Sequence, residues 1–310
     1  MKIVFLDALT LGDTPLNPIA ALGELVCWPT STPEEALGRV GDCEILIVNK
    51  VRVTEQLLDA APKLRLVCEA ATGVNNIDLT ACERRGVLVK NVAGYSTEPV
   101  VQQTFMHILS LMGNAPYFDE TVKNGTWSRG PIFTDLSRPV RELDGRTIGI
   151  VGMGTIGSRV AAVAEAFGMR VIYFSTSGTS HCKDYPSVPL ETLLAESDVI
   201  SVHAPLNERT QGLIGAAELS RMKPDAVIVN MGRGGIVDEM ALSEAIDAER
   251  IGGAALDVFT AEPLPADHPL LHTRHPERLR FTPHTAWASV EARRRLVARI
   301  AENIRTSNIL

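Results

Sequence analysis

The sequence predicts an α/β protein with two doubly wound parallel sheets, and three observations carry that prediction. Short apolar, β-rich runs alternate with segments of helical spacing along the chain. The runs fall in two series, one ending at residue 92 and the other starting at residue 147. The second series opens with the strand pattern Thr147-Ile148-Gly149-Ile150-Val151, which leads straight into the glycine-rich turn Gly152-Met153-Gly154-Thr155-Ile156-Gly157.

In chain order, residues 2–7, 25–28, 44–49, 64–70 and 87–92 read as the strands of a first sheet. Pro33 to Val40 and Thr54 to Ala60 carry helical spacing between them. Strand–helix alternation implies parallel pairing, right-handed crossovers and helices on both faces. Pro99 to Met112 is an apolar helical stretch, expected to cross from one domain to the other. Phe118 to Asp144, rich in Gly, Pro and polar residues, reads as a long surface loop. The second sheet takes 147–152, 171–175, 199–203, 226–231, 254–258 and 279–282, matching a full doubly wound nucleotide-binding domain. Ser158 to Phe167 reads as its first helix, and Ser289 to Leu310 as a tail helix with Val290, Leu296, Val297 and Ile300 on one face. The tail is expected to return to the first domain. The domains expected are therefore 1–98 with 288–310, and 99–287.

Composition narrows the function classes. A chain of 310 residues with 45% hydrophobic content can bury two cores, since domains commonly run to about 100–200 residues. The formal charge of −7 gives no basic excess for nucleic acid, so a small anionic substrate needs a local positive group. The cysteines Cys27, Cys43, Cys68, Cys82 and Cys182 are scattered without a CxxC pair, which reads as reduced thiols in the cytoplasm. No stretch approaches the roughly 18 apolar residues of a membrane span, and the first residues are too few for a signal peptide. His268, His272 and His275 sit beside Pro269 and Pro276 without matching cysteines or acids, so no metal is expected.

The glycine turn has the context that gives such a motif meaning, a strand before it and a helix after it. Gly152 makes the tight turn, Gly154 lets the backbone approach a pyrophosphate, and Gly157 lets the helix pack on the strand. The helix amino end then offers unpaired N–H groups to the diphosphate. An acid about 20 positions on commonly holds the adenine ribose hydroxyls of NAD. Here that place reads Tyr173-Phe174-Ser175-Thr176-Ser177, with no carboxylate and no arginine, only hydroxyls and the more distant His181 and Lys183. Either NAD or NADP is expected, with NADPH slightly favoured.

Three polar residues follow successive strands of the second series. Arg233 lies in the glycine-flanked turn after Val227-Ile228-Val229, Glu262 follows Leu256-Asp257-Val258-Phe259, and His284 follows Phe281-Thr282-Pro283. All three fall on one edge of one sheet. Taken singly, each is an ordinary surface arginine, loop carboxylate or turn histidine.

Together the motifs GMGTIG at 152–157, NMGRGGIVDE at 230–239, ALDVFTAEPL at 255–264 and TPHTAW at 282–287 resemble the D-isomer-specific 2-hydroxyacid dehydrogenase family over nearly the whole chain. The resemblance implies a flavodoxin-like substrate domain, a Rossmann dinucleotide-binding domain and a homodimer. It implies that Arg233 binds substrate, Glu262 orients the histidine and His284 transfers the proton. By the same resemblance Gly152, Gly154, Thr155, Ile156 and Gly157 bind the dinucleotide, with Ser175 at the ribose and His203 on the adenine side. Asp257 would face the nicotinamide carboxamide, although a strand-end aspartate capping local backbone is nearly as good a reading. The loop containing Thr72, Gly73 and Val74 resembles the one whose N–H groups hold the substrate carboxylate, which would put a substrate reaching both domains between them.

The chemistry requires these residue types. Reduction of a 2-oxo acid needs a hydride at C2 and a proton on the developing alkoxide, and the nicotinamide supplies only the hydride. Histidine exchanges protons near neutral pH, and a carboxylate on its other nitrogen fixes the ring. An arginine fork can hold carboxylate and carbonyl together, which a lysine cannot. Asn91 to Thr97 and Val100 to Thr104, with Asn75 and Gln102 departing from the wider pattern, resemble glycerate dehydrogenases, also called hydroxypyruvate or glyoxylate reductases. The expected substrate is thus a small 2-oxo or 2-hydroxy acid. The alternatives are a dehydrogenase for another 2-hydroxy acid, or a catalytically weak, dinucleotide-sensing interaction protein of the same fold.

Overall fold

The computed structural model describes residues 1–180 and 182–307. In chain order its strands and α-helices are β1 Lys2–Phe5, α1 Asn17–Ala20, β2 Glu24–Cys27, α2 Pro33–Val40, β3 Ile45–Val48, α3 Glu55–Ala60, β4 Leu66–Glu69, α4 Leu79–Arg84 and β5 Leu88–Lys90. There follow α5 Thr97–Met112, α6 Ala115–Lys123, β6 Thr147–Val151, α7 Thr155–Ala166, β7 Arg170–Phe174, α8 Leu190–Glu196 and β8 Val199–Val202. The chain ends with α9 Ala216–Leu219, β9 Val227–Asn230, α10 Glu239–Asp247, β10 Gly253–Leu256, β11 Leu279–Phe281 and α11 Val290–Arg305. Two compact units result, Met1–Ser96 with the tail from Ala288, and Thr97–Trp287.

In the first unit five parallel strands run in the order β2-β1-β3-β4-β5, the flavodoxin-like arrangement. Every residue of β3 and β4 is buried, as expected of parallel strands covered on both faces. Asp7, just past β1, accepts N–H groups from Asn49, Lys50 and Val51 at 3.0, 2.6 and 3.0 Å and so fastens the end of β3. Thr32 and Glu35 form a reciprocal cap on α2, with Pro33 starting the helix. In α11 the residues Leu296, Val297, Ile300 and Ile304 are buried and the helix packs on α1 and β4. Val290, expected on that face, is exposed, because the covered stretch begins only at Ala292.

The second unit holds six parallel strands in the order β11-β10-β9-β8-β6-β7. On one face α5 and α7 bury Val101, Phe105, Ile108, Val160 and Ala164 against Ile148, Ile150 and Val229. On the other, Leu193, Leu219, Leu242 and Ile246 pack on Ile200, Ile228 and Leu256. The usual nucleotide-binding order has a further strand outside β7. Among the described residues that place holds an isolated parallel bridge between Tyr173 and Ser187. Helix α7 opens at Thr155, earlier than the expected Ser158. The loop expected from Phe118 also needs correction, since α6 runs through Lys123. Its polar residues are helical partners: Thr121 donates to the Tyr117 carbonyl at 2.8 Å, and Lys123 pairs with Asp119 at 2.6 Å.

Candidate active site

In the second unit the chain leaves β6 for β7 on one side and β8 on the other, and sheets of this kind bind ligands at such a switch point. Gly152, directly after β6, has φ of +94°, and a Cβ there would stand 3.0 Å from the Ala204 backbone. A Cβ on Gly157 would overlap the Gly152 carbonyl oxygen. Both glycines are therefore demanded by the protein's own packing. Gly154, which caps α7, differs: nothing lies within 4 Å of its Cβ position, so its backbone is open to a close-approaching ligand. Thr155 and Ile156 form the first turn of that helix. A cavity of about 290 Å³ lies here, lined by Gly152, Gly154, Ser175, Ser177, His203 and Asn207. The open glycine, the helix end and the cavity together fit a dinucleotide.

The Arg233 turn is built by Asn230 at the end of β9. Its Oδ1 accepts from the Gly232 N–H at 3.0 Å and its Nδ2 donates to the Arg233 carbonyl at 2.9 Å. The exposed Arg233 side chain donates Nη1–H to the Gly232 carbonyl at 2.8 Å. A Cβ on Gly234 would overlap the backbone of Phe259 and Thr260, so only glycine lets this turn lie against the loop that carries Glu262. That loop is held from two sides. Phe259 N–H donates to Glu262 Oε1 at 3.0 Å, and buried Glu239 accepts from Thr260 N–H and hydroxyl at 2.6 and 2.8 Å. His268 Nε2 lies 3.0 Å from the other oxygen of Glu239.

Glu262 Oε2 and His284 Nδ1 are 2.7 Å apart. His284 has φ of +53°, a conformation rare outside glycine, and its N–H donates to the Asp257 carbonyl at 2.8 Å. Asp257 holds the same loop with its side chain: Oδ1 accepts from Thr282 hydroxyl and Thr285 N–H at 2.6 and 2.9 Å, and Oδ2 accepts from Ala286 N–H at 3.0 Å. Burial pushes this carboxyl's pKa up, opposed by these hydrogen bonds and by His284. Since the Thr282 hydroxyl proton goes to Asp257, His107 Nε2, 3.2 Å from that oxygen, is the donor in their contact. Burial lowers the His107 pKa to about 4, so the ring is neutral. The result is a hydrogen-bonded pair, His284 with Glu262, braced through Asp257, on the same sheet edge as the Arg233 turn.

Residues 105–286 match the family model of the D-isomer specific 2-hydroxyacid dehydrogenase NAD-binding domain. The chain belongs to that family. A hydroxypyruvate reductase of Blautia hydrogenotrophica is 32% identical over 98% of this chain and 96% of its own length. A glycerate dehydrogenase of Methylorubrum extorquens is 35% identical over 98% and 95%. Among solved structures, an acyclic imino acid reductase in complex with NADPH and D-Arg superposes with a TM-score of 0.86 at 31% identity, covering 99% of this chain and 96% of its own. This chain is accordingly a nicotinamide-dependent oxidoreductase acting on 2-hydroxy or 2-oxo acids.

Within the dehydrogenase the remaining expected residues are placed as follows. Ser175 stands at the end of β7, its hydroxyl donating to the Thr179 carbonyl at 2.6 Å; His181 lies outside the described residues. His203 Nε2 is 2.8 Å from the Ser201 hydroxyl, while its buried Nδ1 has no partner among the described residues, and burial lowers its pKa to about 3. In the first unit, no acceptor among the described residues takes the backbone N–H groups of Thr72, Gly73 or Val74. Asn91 Nδ2 anchors that loop through the Thr72 carbonyl at 2.6 Å. Buried Glu69 precedes it, receiving Asn76 Nδ2 at 2.9 Å. Sequence reasoning assigned no role to Asn230, Glu239, His107 or Glu69; of these, Glu239 and His107 act on partners 21 and 175 positions away. Asn230 and Glu239 left a signal, as the first and last letters of the NMGRGGIVDE motif. No group of His, Cys, Asp and Glu suited to a metal occurs among the described residues.

Proposed function

We propose that the protein reduces short 2-oxo acids, hydroxypyruvate or glyoxylate, using NADPH or NADH with NADPH slightly favoured. The observation that carries this reading is the 2.7 Å contact between His284 Nδ1 and Glu262 Oε2 on the edge that also bears the Arg233 turn. Bound reduced nicotinamide supplies a hydride to C2. Glu262 accepts the Nδ1–H of His284, which turns Nε2 outward as the proton donor to the oxygen formed at C2. At 25% exposure, the His284 side chain can recover its proton from solvent. Arg233 stabilises negative charge developing on that oxygen and binds the substrate carboxylate. Thr72, Gly73 and Val74, whose N–H groups have no acceptor among the described residues, are assigned to the carboxylate as well.

Gly152, Gly154, Thr155, Ile156 and Gly157 are assigned to the pyrophosphate, Ser175 to the adenine ribose and His203 to the adenine side. For Asp257, three hydrogen bonds to its own oxygens favour positioning of the His284 loop over contact with the carboxamide. The choice of substrate leans on the two relatives named for hydroxypyruvate and glycerate. A homodimer is proposed as well, supported by exposed apolar side chains in the segment after α6, Phe133 at 89% and Leu136 at 81% exposure. No helix is long and apolar enough to cross a membrane among the described residues. We place the protein in the cytoplasm, on the reading of its scattered cysteines as reduced thiols. Initial rates over a panel of hydroxypyruvate, glyoxylate and pyruvate, with each reduced cofactor, test the proposal. Steady turnover of one of the first two is expected, whereas dinucleotide binding without turnover of any would establish a sensing role instead.

A further inference from the structure

The stretch from Ser175 to Ser180 after β7 contains no lysine or arginine, yet the fold brings an arginine to it. Arg209 lies between β8 and α9, and its Nη1–H donates to the Ser177 carbonyl at 2.7 Å. Its backbone N–H donates to Asn207 Oδ1 at 2.9 Å. Ser177 and Asn207 both line the cavity that Gly152 and Gly154 border. A guanidinium has five N–H donors, and this contact uses one. No carboxylate among the described residues is ion-paired with Arg209. In the same loop the Ser175 and Ser177 hydroxyls are 3.1 Å apart, and both donate to the Thr179 carbonyl, at 2.6 and 3.1 Å. Each hydroxyl can rotate about its C–O bond and donate to an anion instead. The stretch from Ser175 to Ser180 contains no acid to repel one.

We propose that Arg209, together with the Ser175 and Ser177 hydroxyls, holds the 2′-phosphate of NADPH and sets the cofactor choice of this protein. The inference rests on the dinucleotide reading of the cavity given above. In sheets of this type the ribose 2′ group is read at the end of the second strand, which here is β7. A phosphate dianion there would meet two hydroxyl donors from one side of the switch point and a charged, planar fork from the other. NADH presents only a hydroxyl to the same fork and gains no charge-assisted contact. With this contact the preference for NADPH is expected to be larger than the slight one that the acid-free serine loop alone would give.

Calorimetric titration with adenosine 2′,5′-bisphosphate and adenosine 5′-phosphate tests this directly, because the probes differ only in the 2′-phosphate and need no catalysis. The wild type should bind the bisphosphate at least about tenfold more tightly. Arg209→Gln, which keeps neutral donors but loses the charge, should abolish most of that advantage, and Arg209→Lys should retain part of it. The kcat/KM ratio of NADPH to NADH should fall in the same order. Equal binding of both probes by the wild type would overturn the proposal, as would an Arg209→Gln variant that keeps the full advantage. An Arg209-dependent advantage in a protein that turns over no 2-oxo acid would uphold this site while refuting the proposed reaction. Turnover of hydroxypyruvate with an unchanged cofactor ratio in Arg209→Gln would do the reverse.

Discussion

Arg233 is aimed by its own backbone. The Asn230 side chain closes the turn and the guanidinium spends one donor on the Gly232 carbonyl, which leaves the rest of the fork for an anion. Lysine at this position keeps the charge and loses the fork. Arg233→Lys is therefore expected to raise KM and lower kcat together, with kcat/KM falling about 10- to 100-fold for a lost charge-assisted contact. Steady-state kinetics check this, and a change confined to thermal stability would mark Arg233 as structural. The residue types of this site were legible in the sequence because each follows a strand at a recognisable motif. Their supports were not. Glu239 reaches Thr260 across 21 positions and His107 reaches Thr282 across 175, and no local pattern encodes either contact. Arg209 was hidden for the same reason, since it meets Ser177 from 32 positions away.

At the scale of elements, the site depends on how closely two strand-end loops approach. Gly234 is the contact point: a Cβ there would overlap the Phe259 carbonyl, which is backbone and has nowhere to move. Gly234→Ala should force the Arg233 turn and the Glu262 loop apart. We expect a stability loss of about 1–3 kcal/mol, as for other overpacked sites, with a fall in kcat/KM beyond what the unfolded fraction explains. Urea unfolding followed by kinetics on the folded variant checks both, and a variant with wild-type values would show that the loops yield freely. The strands were legible throughout because parallel strands buried on both faces read as continuous apolar runs, Ile45–Val48 and Val227–Asn230 among them. Helix α6 was obscured by composition, since Asn114, Pro116 and Gly125 at its ends look like loop residues while serving as its boundaries.

For the whole molecule, buried titratable groups set opposing pH dependences in the two units. Burial raises the pKa of Glu69 in the first unit to about 8 from an ordinary 4.5, helped by nearby Asp7 and opposed by the Asn76 hydrogen bond. The folded unit thus keeps a proton that the unfolded chain releases. Its contribution is full below about 4.5 and declines as pH rises toward about 8, by on the order of a few kcal/mol. His107 and His203 in the second unit have folded values lowered by burial to about 4 and about 3 from 6.5. Their contribution is full above 6.5 and declines as pH falls toward those values. Glu69→Gln should accordingly flatten the alkaline decline while leaving the acid one, as read by urea midpoints at a series of pH values. Parallel profiles for variant and wild type would show that Glu69 titrates normally. The division into two sheets and the six strands of the second were readable from the strand series, and around Ser187, where the sequence suggested no strand, the chain meets Tyr173 at a single bridge.

The central claim is that His284, held by Glu262, delivers the proton in reduction of a 2-oxo acid. Its most direct test is the turnover of hydroxypyruvate by His284→Ala, measured alongside the Kd of the reduced cofactor for the same preparation. Turnover should fall about 10²–10⁴-fold, the usual worth of a positioned proton donor, while the cofactor Kd stays within a few-fold of wild type. Undiminished turnover in that variant would contradict the account.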